Sequence, residues 1–539
     1  MRLEVRNLAR KLAKLFFRYS NEPAVKPESF AGIGGRPPSG GGATSLSFQS
    51  VPDKFYFLLF GAICARLHAY VDLRSDLVVV RAVNGAVGTG WLAEMKRSAF
   101  VSWLWSGQWV RAYGSLVDGI AYRCATCAHP IEDMADWFKS KHLWRHLQKQ
   151  AQEGVYALSI GDVEVADLVI SSYLRFKPAP MFNVKDPFVR RLLWQALRDV
   201  RQANAYFGLV KPRWYLTSYT TYLEHGIPAR VALRHGVEVC SFGNLNRFGK
   251  ILTLSDTYQT LDYSGFRRIF ESLSNRSERL EEARRQLKTR LAGGIDAATS
   301  YMRQSAYGKS DIEIPAGLSG AVVIFLHDFY DSPHVYPDLI FDDFWQWICF
   351  TIEALQKAGV GFFLKPHPNQ IALSDKALVL LRQKYHDLHW LPAMTSNAQL
   401  ATAGIACGVT VYGTVAHELA YLGVPSIGCA RHPHHAFDFC RTARTRAEYE
   451  SMLKTYESMP VPREEMQRQA LAFYYMHNLY GNDSQRILRQ AFVAFWKVCN
   501  VGAQSEESIM HGFRTLINLP EFGRFVEAMA HGQKMDSIN

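Results

Sequence analysis

Two short stretches of this chain carry residue types suited to binding an anion. Lys365-Pro366-His367-Pro368 follows the apolar run Phe362-Phe363-Leu364. Proline fixes φ and pushes the residue before it to extended geometry, so the two prolines hold a lysine and an imidazole in place without a helix. Further on, Tyr412-Gly413-Thr414-Val415-Ala416-His417-Glu418 reads as the turn from a strand into a helix. Gly413 permits tight geometry there, Thr414 suits the N-cap, and the free N–H groups of the opening helix attract a phosphate or diphosphate. His367 and Lys365 would stabilise charge on a departing phosphate. Glu418 falls about one turn into the helix. There it would either accept the hydroxyls of a ribose or simply be an acid favoured by the helix dipole.

Two further clusters carry titratable groups. His327-Asp328-Phe329-Tyr330-Asp331-Ser332-Pro333-His334 follows the apolar run 321–326. Asp328 and Asp331 are candidates for a catalytic base or a metal pair, against the plainer reading of a capped turn. In the first half, Glu224-His225-Gly226 precedes Arg230 at the mouth of a helix. A partly desolvated Glu224 would have a raised pKa and could deprotonate a sugar hydroxyl. The plain alternative is a first-turn acid stabilised by the dipole.

The elements that must position these residues alternate. In the first half, 55–60, 77–80, 214–216 and 237–242 read as strands, and 61–70 and 226–233 as helices. In the second, 321–326, 361–364 and 425–428 are strands, with others near Leu388 and Val409, and 344–357 is a helix. A charged helix lies between residues 274 and 292. Strands separated by helices argue for parallel sheets, which bind ligands outside the carboxyl ends of their strands. The tail from residue 483 is mostly helical and is expected to cross back to the first half.

The 539 residues are too many for one ordinary core. A hydrophobic content of 48% is that of a folded protein. The nine cysteines are scattered and odd in number, which argues for a reducing compartment. Cys124-Ala-Thr-Cys127 is a lone CxxC without the second pair of a zinc ribbon. The net charge of +12 calls for an anionic partner, yet no nucleic-acid signature accompanies it. Arg6, Arg10, Lys14 and Arg18 make one row beside the apolar stripe Leu8, Leu12, Leu15, Phe16 and Tyr19. Residues 1–20 therefore suit an anionic membrane surface or, equally, a helix docked on its own protein. A Gly/Pro-rich neck follows.

With these residues in place, the second half resembles bacterial surface-polysaccharide glycosyltransferases, especially capsule 3-deoxy-manno-octulosonate transferases and, more distantly, bacterial sialyltransferases. Lys365-Pro-His367-Pro resembles their HP motif, whose histidine binds the donor phosphate. Gly413-Thr414 is similar to their serine/threonine motif. Glu224-His225-Gly226 is similar to their acidic-acidic-Gly motif, with His225 replacing the second acid. The resemblance implies an α/β GT-B fold, two Rossmann-like domains facing across a cleft. The expected divisions are a helix and neck over 1–48, an acceptor domain over 49–273, a helical connection over 274–314, a donor domain over 315–482 and C-terminal helices over 483–539.

It further implies transfer of a sugar from a nucleotide-sugar donor, CMP-sugar favoured, to a polysaccharide or glycolipid acceptor, with inversion. Glu224 is the expected base, with Asp328 and Asp331 as rivals. Lys365, His367, Gly413, Thr414, His417 and Glu418 are expected on the donor, and His225, Arg230 and His334 toward the acceptor. No metal or other cofactor is expected, and no nucleic acid. The expected location is cytoplasmic, peripheral on the inner face of the membrane. A CDP-polyol phosphotransferase and a non-catalytic polysaccharide- or lipid-binding protein remain as alternatives.

Overall fold

The computed structural model describes residues 44–49, 53–78, 83, 121–123, 130–152, 156–177, 179–244, 246–299, 312–368, 370, 374–501 and 505–533. The basic segment 1–20, the neck up to residue 43, and Cys124 and Cys127 lie outside them.

The chain divides into two compact units. One contains Met1–Ala166, Pro187–Gln259 and Asp483–Asn539, the other Asp167–Asp186 and Thr260–Asn482. The first holds strands β1 (Thr44–Gln49), β2 (Leu73–Val78), β3 (Ala121–Arg123), β6 (Trp214–Thr217), β7 (Glu238–Ser241) and β8 (Lys250–Leu252), and a small hairpin of β4 (Ser159–Ile160) and β5 (Val163–Glu164). The second holds β9 (Val322–Phe325), β10 (Phe362–Lys365), β11 (His389–Trp390), β12 (Cys407–Thr410), β13 (Ser426–Gly428) and β14 (Cys440–Thr442).

The sheet orders are β3-β2-β1-β6-β7-β8 and β11-β10-β9-β12-β13-β14. Numbered within its own sheet, each has the order 3-2-1-4-5-6 of a Rossmann sheet. The second sheet is parallel throughout, and in the first only β8 runs antiparallel to its neighbour. Parallel strands are covered on both faces, so they read as continuous apolar runs. Val322–Phe325 and Trp214–Thr217 are buried at every position. The chain thus has the α/β, two-Rossmann-unit composition expected of the GT-B fold. The order reverses between β1 and β6, and between β9 and β12. Those are the points where such sheets open a crevice beyond their carboxyl ends.

One expectation fails locally. Residues 55–60 are not a strand. They belong to one helix, Lys54–Leu67, capped by the Asp53 side chain accepting from the Phe55 N–H. Nearly all of that helix is buried, from Phe55 through Ala65. A helix buried all round has no amphipathic period, so its apolar run reads like a strand. The first strand is instead Thr44–Gln49, which straddles the expected boundary at residue 48 between neck and first domain.

What encloses the helix comes from the end of the chain. Phe492 and Phe495 of helix Asp483–Asn500 lie 5.1 Å from Phe55, ring to ring, and Phe522 and Phe525 of helix Pro520–Ala530 join the same cluster. Burying each such ring contributes about 1.5–3 kcal/mol, so these helices are part of the first unit's core. The units divide after Gln259. The charged helix Arg276–Leu291 packs within the second unit, placing Ala283 and Leu287 in a core with Phe473 and Tyr475 of helix Arg463–Asn478. Among the described residues no helix is long and apolar enough to cross a membrane.

Candidate functional site

In the second unit the carboxyl ends of β9, β10 and β12 gather a cluster of polar groups. Lys365 is the last residue of β10 rather than a loop residue, and is only 4% exposed. Its ammonium donates to the Ala393 carbonyl at 2.9 Å. Burial pulls its pKa down to about 8, with Glu418 acting in the opposite direction. His367, two residues on, is half-buried. Burial and then the neighbouring His327 and Lys365 pull it down to about 4, against Asp328 and Asp331. The His327 ring lies 6.2 Å from His367 and 5.1 Å from Tyr412. The cluster gathers two imidazoles and an ammonium, with Asp328 and Asp331 beside them. An arriving phosphate would raise the pKa of both His367 and Lys365 and be held by them.

The turn after β12 is shaped for close approach. The Gly413 N–H donates to Thr410 Oγ1 at 3.0 Å, and a Cβ on Gly413 would lie 2.7 Å from that oxygen. A Cβ on Gly408 would meet Leu419 at 2.2 Å, so β12 and helix Val415–Leu422 pack backbone to side chain there. Thr414 occupies the N-cap position, but its φ of −64° and ψ of −11° are helical and its hydroxyl makes no capping bond. The expected cap bond is absent because an N-cap accepts from the helix only with an extended backbone. The Ala416 and His417 N–H groups donate back to the Gly413 and Thr414 carbonyls at 3.3 and 3.2 Å, so the Thr414 hydroxyl is the side-chain donor that the turn presents.

The loop after β9 joins the cluster. Asp328 accepts from the Tyr330 N–H at 3.1 Å and the Ser374 hydroxyl at 2.6 Å. Asp331 is exposed and accepts from the Ser332 N–H at 2.8 Å. His334 sits half-buried in the single turn Pro333–Val335, and the Tyr412 hydroxyl donates to the Ser332 carbonyl at 3.2 Å.

Three expected site residues are placed elsewhere. Glu418 is fully buried, with one oxygen 2.8 Å from Arg290 and the other accepting from Asn397 at 2.6 Å. Both oxygens are engaged inside the protein, so this carboxylate is not presented to a ribose. Residues 416–420 of its helix are all buried, and helix Arg276–Leu291 brings Arg290 onto Glu418. His417 is 1% exposed against Phe473 and Tyr474, and burial holds its pKa well below the usual imidazole value. Arg230 is buried and donates to the Glu164 carbonyl of the β4–β5 hairpin at 2.7 Å.

In the first unit, Glu224 and His225 sit at the reversal between β1 and β6. Glu224 opens helix Leu223–Arg234, preceded by Tyr222 at a φ of +67°. One Glu224 oxygen accepts from the Val83 N–H at 2.7 Å and the other lies 3.5 Å from His225 Nε2. Burial pushes Glu224 up to about 7, with Asp199 adding repulsion and the Val83 N–H opposing. Its side chain is still 14% exposed, so a hydroxyl can reach it. Burial pulls His225 down to about 4. Gln49 at the end of β1 ties the group together. Its amide nitrogen contacts His225 Nδ1 at 2.7 Å, and its oxygen accepts from the Thr217 hydroxyl at 2.9 Å. A reading of the sequence misses Gln49 because its strand is missed. The signal was a lone amide closing the alternating run Thr44–Gln49.

No protein-family model and no curated protein matches the chain. Solved structures give distant likenesses. One is a Thermosulfurimonas dismutans KpsC, described as a beta Kdo 2,4 transferase. It has 11% identity and a TM-score of 0.30, covering 48% of this chain and 80% of that one. Another is the Methanocaldococcus jannaschii UDP-GlcNAc 2-epimerase, solved with UDP-GlcNAc and UDP, at 9% identity and a TM-score of 0.24 over 79% of this chain and 98% of that one. The third is Anabaena HepE, solved with UDP and glucose, at 10% and 0.25, covering 81% and 95%. Likenesses this slight carry no argument about activity. That rests on the two clusters at the sheet reversals.

Proposed function

We propose that this chain is a glycosyltransferase using a nucleotide-activated sugar. The observation that carries the reading is Glu224, a partly reachable carboxylate at a sheet reversal whose pKa burial lifts to about 7. A general base works best when its pKa lies near the working pH. The second unit supports the reading with a lysine, two histidines and a helix opening collected where a diphosphate or phosphodiester would bind.

In the proposed reaction Glu224 takes the proton of an acceptor hydroxyl. That oxygen forms a bond to the anomeric carbon as the bond from that carbon to the donor phosphate breaks. Lys365, charged below a pKa of about 8, His367 and the turn at Gly413-Thr414 hold the departing nucleotide. A single displacement inverts the anomeric centre. Asp331 and Asp328 lie beside the donor cluster and position its loop. A CMP-sugar is the favoured donor and a polysaccharide or glycolipid the acceptor, with residues 1–20 resting on an anionic membrane face.

Calorimetric titration with CMP, CDP, UDP and GDP tests the reading first. One nucleotide should bind to the wild-type chain and lose affinity in His367→Ala, and its sugar conjugate should then be turned over. CDP-glycerol consumed in place of a sugar nucleotide would make the chain a polyol phosphotransferase. Binding of none of the four would end the proposal.

A further inference from the structure

The crossover from β13 to β14 buries a second cluster that the transfer chemistry does not use. His432, His434 and Cys440 are respectively 0%, 0% and 4% exposed. One ligand atom from each lies within 4.8 Å of the others. The two imidazoles stack with ring centroids 3.7 Å apart, and the far face of His434 covers Phe439 at 5.3 Å. Among the described residues neither nitrogen of His434 has a hydrogen-bond partner, and neither does His432 Nδ1. Buried polar atoms are nearly always paired, and an exception points to an ion or water.

The surroundings are those of a prepared ligand set. His432 Nε2 contacts the Thr442 hydroxyl at 2.6 Å, which leaves Nδ1 to bind. Metal-binding histidines are usually fixed in this way through the opposite ring nitrogen. The loop is held by its own backbone, with the His435 N–H donating to the His432 carbonyl at 3.1 Å and the Phe437 N–H to the His434 carbonyl at 3.0 Å. Gly428 lies at the Nε2 edge of His432, where a Cβ would sit 3.5 Å from both Cys440 Sγ and His432 Nε2.

We propose that His432, His434 and Cys440 form a buried site for a thiophilic cation, zinc(II) being the reference ion. One thiolate with two imidazoles is a donor set that selects zinc or copper(I) over magnesium or calcium. A tetrahedral zinc holds nitrogen and sulfur at about 2.1 and 2.3 Å, which puts the donors roughly 3.5 Å apart. Rotation of the side chains closes the remaining distance. The ion displaces the Cys440 proton and leaves the thiolate as ligand. Two donors lie on the crossover between β13 and β14 and the third, Cys440, opens β14, so the ion's role is to brace that loop against the strand and not to touch substrate.

The test uses the full untagged chain. Elemental analysis should find stoichiometric zinc, and protein stripped by a chelator should take up cobalt(II) with a thiolate-to-cobalt absorption band. Cys440→Ser should lose the band and His434→Gln should weaken cobalt binding at least tenfold. A Cys124→Ser/Cys127→Ser control should keep both. If Cys440→Ser does not fold, the wild-type band against that control decides. A chain that takes up no cobalt, or a band that survives Cys440→Ser, overturns the proposal.

Discussion

Replacing Glu224 by glutamine should make the protein more stable at alkaline pH while removing its activity. The carboxyl is lifted from 4.5 to about 7, mainly by burial. Its folded form therefore holds a proton more tightly than its unfolded form. The fold is then most favoured below the unfolded value of 4.5 and loses stability as pH rises through about 7. At about 1.4 kcal/mol per pH unit, keeping Glu224 ionised costs the fold roughly 3 kcal/mol.

Glutamine has the same shape, no charge, and an oxygen able to accept from the Val83 N–H. Urea unfolding of wild type and Glu224→Gln across acid to alkaline pH measures the difference. It should be near zero below 4.5, grow between 4.5 and about 7, and level off above that at a gain of roughly 3 kcal/mol. Because no substrate is needed, this measurement stands whatever the donor is. Once a donor is known, kcat/KM of the wild type should rise through about 7 as Glu224 ionises and fall above about 8 as Lys365 loses its proton. The variant should lose about 10²–10⁴-fold in turnover with unchanged nucleotide affinity. A glutamine variant that is no more stable than wild type at alkaline pH, or a difference that ignores pH, refutes the argument from burial.

Further outcomes are expected from the same reasoning. His367→Ala should fold normally and lose at least about 10²-fold in turnover, as loss of a donor to developing charge does; a purified variant of ordinary activity would remove His367 from the site. Glu418→Gln should cost about 3–5 kcal/mol in unfolding experiments because it leaves Arg290 buried without its carboxylate, and should spare nucleotide affinity. Lost nucleotide binding at unchanged stability would return Glu418 to the donor. Asp328→Asn and Asp331→Asn should weaken donor binding together with turnover, whereas a dead variant with normal donor affinity would move the base to that loop. Removing residues 1–31 should weaken binding to anionic liposomes by about 1 kcal/mol per cation near the surface, and equal binding by the shortened chain would make that helix structural.

The sequence by itself determined the features that are local. Alternation of apolar strands and helices gave two α/β halves, and the runs at 322–325, 362–365 and 407–410 are strands whose ends carry the expected polar loops. Gly413 is legible as the glycine of a strand-to-helix turn, where a Cβ would meet Thr410 only three residues before it. Glu224 is legible as the acid at a helix mouth.

The tertiary structure decided whatever depends on partners distant in sequence. Residues 55–60 are helical because Phe492, Phe495 and Phe525 close around them, and a run buried on all sides loses the period that would announce it. Lys365 and Glu418 look alike as charged residues beside a turn. One becomes a buried amine at a strand end with its pKa pulled down to about 8, and the other is consumed by Arg290 and Asn397. Helix 276–291 brings Arg290 onto Glu418, while the Lys365 ammonium is taken up by the Ala393 carbonyl. The same holds for His432, His434 and Cys440. Spacing alone leaves two histidines beside a proline and a distant cysteine. It is the parallel pairing of β13 with β14 that folds the crossover back and brings nitrogen and sulfur within reach of one ion.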